Sequence, residues 1–173
     1  MAIQYPMPLP KWMDRAFRYR GMKEIPGKQH NPIIIKWLKR LKAWWSEDET
    51  PWCGTFVAEM LRQSDLPIPQ HWYRAKAYVT YGTAQSLVDI PFGAICVKGR
   101  TGGGHVFFAV AKSANGSTIY GLGGNQSNSV NITAFRRSDI VAARWPQSIL
   151  LPKPLPVAIS ASQLNASQGG SES

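Results

Sequence analysis

The chain has 173 residues, of which 44% are hydrophobic and seven are Trp, enough to build one buried core but not two full domains. Lys and Arg outnumber Asp and Glu by 20 to 10, so the surface favours anionic partners. No apolar run reaches the roughly 18–20 residues of a membrane span, the stretch Met1-Ala2-Ile3-Gln4 has neither the basic nor the apolar region of a secretory signal, and two cysteines cannot form a disulfide framework; membrane-spanning, disordered, collagen-like and disulfide-scaffold classes are excluded.

The first predicted element lies between Pro10 and Gly21, a short helix opened by Pro and closed by Gly. Gly21 to Gly27 reads as a loop. A second helix is predicted from Asn31 as cap and Pro32 at its first position, with Ile34, Trp37, Leu38, Leu41 and Trp45 on one face and Lys36, Lys39, Arg40 and Lys42 on the other. After the acidic loop Ser46 to Glu49, Thr50 is the expected cap and Pro51 the first-turn residue of a third helix, which buries Phe56, Val57, Met60 and Leu61 and stops at Asp65-Leu66-Pro67. A further helical segment is predicted over about Trp72 to Tyr81.

The period then changes to that of strands. Gly93 to Val97, Val106 to Ala111, Thr118 to Leu122, Val130 to Phe135 and Ile140 to Trp145 give about five strands, and Asn115-Gly116 is a strong hairpin signal. Helices followed by a run of antiparallel strands predict an α+β domain over residues 1–151, with the helices packed on the sheet. Residues 152–173, rich in Pro, Ser, Gln and Gly, are expected to form a disordered tail.

With Thr50 as cap, Cys53 is the third residue of its helix. There the free N–H groups and the positive end of the helix dipole favour a thiolate, and the same N–H groups can donate to an oxyanion. A nucleophilic thiol needs a base, and the chain has three histidines. His30 and His71 read as ordinary surface residues. His105 follows Gly102-Gly103-Gly104 and opens the most apolar strand, an uncrowded position for an imidazole. The base needs an amide or carboxylate to orient its second nitrogen. Counting across the Asn115-Gly116 hairpin sets Gln126 opposite His105 for a two-residue turn, and Asn125 opposite it for a three-residue turn with a bulge. Cys96, flanked by Ile95 and Val97 in mid-strand, reads as a small buried hydrophobe. No paired ligand spacing of the C-x-x-C or H-E-x-x-H kind suggests a metal site.

The order Cys, His, Asn/Gln, with Cys opening a helix and His opening a strand, resembles the papain-like cysteine hydrolases, and among them the compact NlpC/P60 and CHAP peptidoglycan hydrolases. The segments carrying the likeness are Gly21-Met22-Lys23-Glu24-Ile25-Pro26-Gly27, Asn31-Pro32, Thr50-Pro51-Trp52-Cys53-Gly54-Thr55-Phe56-Val57, Gly104-His105-Val106 and Leu122-Gly123-Gly124-Asn125-Gln126. The resemblance spans about Pro10 to Trp145. It implies a compact papain-like domain in which Cys53 is the nucleophile, His105 the general base and Asn125, ahead of Gln126, the orienting amide. CHAP relatives often carry an acidic residue where this chain has Gly123.

The implied activity is hydrolysis of an amide bond in peptidoglycan, by a stem-peptide endopeptidase or an N-acetylmuramoyl-L-alanine amidase, without metal or organic cofactor. Trp52, Trp72 and Tyr73 are expected to line the substrate groove. Peptidoglycan is the expected partner, with an anionic envelope attracted by the basic surface; neither nucleic acid nor stable membrane insertion is expected, and the chain is expected to act as a monomer. Synthesis in the cytoplasm followed by action on the cell wall fits a phage endolysin, or an interbacterial amidase toxin of the same chemistry. The competing classes are an acyltransferase on the same fold and a non-enzymatic basic binding module. The second lacks any zinc-finger or RRM-type motif, and its Lys and Arg are scattered rather than striped.

Overall fold

The computed structural model describes residues 3–100, 103–147 and 150–166. Helices precede the main strands, as their hydrophobic periods require. Helix α1 (Lys11–Arg18) buries Trp12, Met13, Ala16 and Phe17, and the Trp12 indole donates to the Gly93 carbonyl at 2.9 Å. Helix α2 (Pro32–Arg40) is capped by Asn31, whose Oδ1 accepts from the Ile33 N–H at 2.8 Å, and buries Ile34, Trp37 and Leu38. It ends sooner than its apolar spacing suggests: Lys42 takes φ +61°, and Trp45 lies beyond the helix.

Helix α3 (Cys53–Gln63) is buried over Cys53 to Leu61. A helix so enclosed carries one charged group inside, Glu59, which accepts from both sides of the Arg62 guanidinium at 2.8 and 2.9 Å and from Gln63 at 2.8 Å; such compensation is what allows a carboxylate in a core. The segment predicted as a helix over about Trp72 to Tyr81 is a 3-10 helix, Ala75–Thr80.

Among the described residues, one antiparallel sheet holds β1 (Thr83–Ala84), β2 (Ile95–Arg100), β3 (Gly103–Lys112), β4 (Thr118–Gln126), β5 (Ser129–Arg136) and β6 (Ile140–Trp145), in the order β1-β6-β2-β3-β4-β5. The extra strand over the expected five is the two-residue β1, too short to leave a sequence period. The core lies between the helices and the sheet: Phe56 packs against Trp37 at 5.9 Å and edge-on against Phe108 at 6.2 Å.

Residues 152–166 are not the disordered tail that their composition predicts. The segment crosses to β3, where Lys112 and Ala158 exchange backbone bonds with Pro156 and Lys112, and ends in helix α4 (Ala161–Ala166). Leu155, Ala158 and Leu164 are buried, three apolar anchors spaced widely enough to be lost in a polar composition. The Asn165 side chain pairs with both backbone groups of Ile132, at 2.9 and 2.8 Å, so it satisfies part of the free edge of β5. Residues 167–173 lie outside the described residues.

Candidate active site

Cys53 enters the site from the start of α3. The helix begins two residues later than expected: Trp52 occupies the cap position and Cys53 is the first helical residue, not the third. Thr50 is not the cap because its hydroxyl donates to the Glu47 carboxylate. The first backbone bond of the helix is Phe56 N–H to Trp52 C=O, so the N–H groups of Cys53, Gly54 and Thr55 precede the helical ladder and form its positive end.

Two contacts set this helix start against the sheet. The Trp52 indole donates to Glu24 at 2.9 Å. Gly124 on β4 has no side chain, and a Cβ there would fall 2.7 Å from the Phe56 Cβ and 2.8 Å from the Trp52 ring. The loop bearing Glu24 is itself fastened. Glu24 N–H donates to the Asn128 carbonyl, the Asn31 amide donates to the Lys23 carbonyl at 2.6 Å, and the buried Asp48 carboxylate accepts from the Ile25 and Asn31 N–H groups at 2.9 and 2.6 Å. His30, expected as a plain surface residue, lies 3.1 Å from the same carboxylate. Burial acts to raise the Asp48 carboxyl, but its N–H donors and His30 together hold it below the usual carboxylate value.

His105 enters from β3, and its neighbours follow from register. Next to the turn, Lys112 faces Ile119; an extra residue at Val110 then shifts the pairing so that Phe108 faces Leu122. Continued straight, that register would set Asn125 against His105. It is not continued, because β4 bulges between Gly123 and Gln126, where Asn125 takes φ +57°. The hydrogen bond from the ring goes to Gln126 instead: His105 Nε2 lies 2.9 Å from Gln126 Oε1. This reverses the expected order of the two amides. Gly123, which departs from the CHAP pattern, has a local reason. A Cβ there would run into Oε1 of Gln126 and lie 3.0 Å from the Phe107 Cβ.

The Gln126 amide can face only one way. Its Nε2 is surrounded by acceptors, namely the carbonyls of Gly121 and Asn131 at 3.2 and 2.7 Å, Asn131 Oδ1 at 3.0 Å and Thr133 Oγ1 at 3.1 Å. Turning the amide over would press its oxygen against those oxygens. Oε1 therefore faces the ring, His105 Nε2 carries the proton, and a neutral His105 keeps its lone pair on Nδ1. The imidazole is held flat by aromatic faces, 5.8 Å from Phe107 and 5.6 Å from Phe135.

Cys53 and His105 line one open cleft of about 310 Å³, together with Pro51, Lys98, Gly104, Asn125, Gln126, Ser127, Thr133 and Phe135. Thus the sequence-derived Cys53, His105, Asn125 and Gln126 are brought together. The aromatic trio is not. Trp52 and Trp72 are buried, and neither they nor Tyr73 line the cleft. Trp72 stacks on Trp45 at 5.8 Å, and Tyr73 packs edge-on against Trp44 at 4.9 Å. Lys98, Thr133 and Phe135 belong to the cleft and were missed by sequence reasoning. Lys98 was findable, since the close spacing of β2 and β3 sets it directly opposite His105.

A separate hollow, under Pro6, Pro8 and Pro10, is lined by Phe92, Trp145, Leu150, Leu151 and Lys153, without a nucleophile. Among the described residues no group of three or more His, Cys, Asp or Glu side chains is gathered as metal ligands, and no helix is long and apolar enough to cross a membrane. No protein-family model, curated protein or solved structure matches this chain.

Proposed function

We propose that the protein is a cysteine-dependent amide hydrolase of papain-like organisation, acting on peptidoglycan. The observation that carries this reading is the cleft in which a helix-opening thiol meets an imidazole whose Nε2 is already engaged by the locked amide of Gln126. A base so held presents Nδ1, the nitrogen needed to take a proton from sulfur.

The roles follow from those positions. Cys53 gives its proton to His105 Nδ1, and its sulfur attacks the amide carbonyl, forming an S–C bond. The carbonyl oxygen becomes an oxyanion, next to the N–H groups that open α3. As the C–N bond breaks, His105 returns the proton to the leaving amine. Water, deprotonated in turn by His105, then attacks the thioester and frees Cys53 and a carboxylic acid. Gln126 contributes by fixing the tautomer and orientation of the ring in both half-reactions.

Support for peptidoglycan as substrate comes from the resemblance of the Cys53, His105 and Gly123 to Gln126 segments to NlpC/P60 and CHAP hydrolases, and from the net charge of +10, which favours an anionic wall. Turbidity of purified peptidoglycan tests the proposal. The wild-type protein is expected to clear the suspension while Cys53→Ala and His105→Ala, shown to be folded, leave it unchanged. Mass spectrometry of the released fragments identifies the bond. Full activity of Cys53→Ala would refute the reading.

A further inference from the structure

The cleft is electrically one-sided among its described residues. Among the described residues that line it, Lys98 is the ionisable side chain besides Cys53 and His105, and no carboxylate is present. The other polar groups there are the amides of Asn125 and Gln126 and the hydroxyls of Ser127 and Thr133. Lys98 is not an incidental surface lysine. Its Cα pairs directly with that of His105 across β2 and β3, which sends both side chains to the same face of the sheet. Its ammonium is carried to 5.8 Å from the centre of the Phe135 ring, the ring on which His105 also stacks. The strand pairing and the aromatic shelf thus hold a positive charge beside the histidine.

We infer that Lys98 binds a free carboxylate on the leaving half of the substrate, next to the amine that is released. This rests on the hydrolase reading above. His105 hands its proton to the departing nitrogen, so the leaving half must lie on the histidine side of the cleft, where Lys98 stands. An ammonium in a concave site that holds no carboxylate among its described residues attracts an anionic group and forms charge-assisted hydrogen bonds with it. A carboxylate close to the amine falls within its reach; a carboxamide at the same position offers no charge.

The test uses the full chain and two preparations of muropeptides that differ only in whether the carboxylate beside the released amine is free or amidated. The wild type is expected to cleave the free-acid form with a kcat/KM between about 10- and 100-fold higher, the range of one charged hydrogen bond. Lys98→Met, which keeps the stem on Phe135, should lose that preference by slowing cleavage of the acid form alone. Lys98→Arg should retain most of it. Equal cleavage of both forms by the wild type would overturn the inference and leave the hydrolase reading intact. An equal fall on both forms in Lys98→Met would overturn it too, because Lys98 would then act on Cys53 or His105 rather than on substrate. If the wild type cleaves neither form, the hydrolase reading fails and the inference with it.

Discussion

Cys53 and Cys96 are both buried, at 7% and 0% exposure, but in different surroundings. Cys53 opens a helix at the rim of the sheet, faces a cleft and shares it with an oriented imidazole. Cys96 is the second residue of β2, wholly buried between Phe107 on β3 and Ala143 on β6, and burial pushes its thiol far up, away from ionisation. The rim is built from a bulge, positive φ angles and glycines that admit neighbouring side chains, whereas the interior is built from strand pairing and aromatic packing. The difference teaches where changes should be felt: in turnover at the rim and in stability inside.

The largest expected effect follows directly. Cys53→Ser should lower hydrolysis by at least about 1,000-fold while leaving the melting temperature nearly unchanged. Cys96→Ser should leave turnover intact yet cost about 1–3 kcal/mol of stability, because it buries a hydroxyl in an apolar setting. Parallel kinetics and thermal melts read both, and a loss of turnover in folded Cys96→Ser would break the division.

Next comes the C-terminal segment, which belongs with the interior. Leu164 is fully buried, so Leu164→Ala should destabilise by about 2–4 kcal/mol, measured by denaturant unfolding, with kcat preserved at low temperature. A change within a few tenths of a kcal/mol would mean that α4 is not docked.

The two amides sharpen the picture of the rim. Gln126→Ala should reduce kcat by about 100-fold, through loss of the tautomer and orientation of His105, whereas Asn125→Ala should stay within a few-fold of the wild type. The reverse order would mean that the bulge at Asn125 does not hold in solution. A glutamate at 126 retains an acceptor for Nε2 but loses the donors that lock it, and should fall between the two.

The smallest effect concerns the loop beneath the rim. The folded Asp48 carboxyl is held below its ordinary value of 3.8, so its stabilising contribution is fully present above that value and is lost as pH falls through the folded value. Asp48→Asn should cost about 1–3 kcal/mol at neutral pH and flatten the acid limb of the stability curve, measured by denaturant unfolding between pH 2 and 7. An unchanged acid limb would remove Asp48 from the account.

The places of Cys53 and His105 in the fold were legible in the chain because each is announced locally: Pro51 before Cys53 marks a nearby helix start, and three glycines before His105 mark a strand end. The choice between Asn125 and Gln126 was not, since it turns on two register shifts in different strands, and a bulge in a Gly-rich strand leaves no period to count. The aromatic residues misled for another reason. Trp52 and Trp72 flank the site in sequence, but a ring beside a cleft and a ring supporting it from below look alike without coordinates. Polar composition hid the tail, where three buried residues among many exposed ones suffice to hold a segment down.

The central claim is that Cys53, at the cleft it shares with His105, performs the chemistry. Alkylation with iodoacetamide at neutral pH, mapped residue by residue by mass spectrometry while hydrolysis of peptidoglycan is followed, tests it most directly. Modification of Cys53 should rise in step with loss of activity while Cys96 stays unmodified until the protein unfolds. Full alkylation of Cys53 with activity retained would contradict the account.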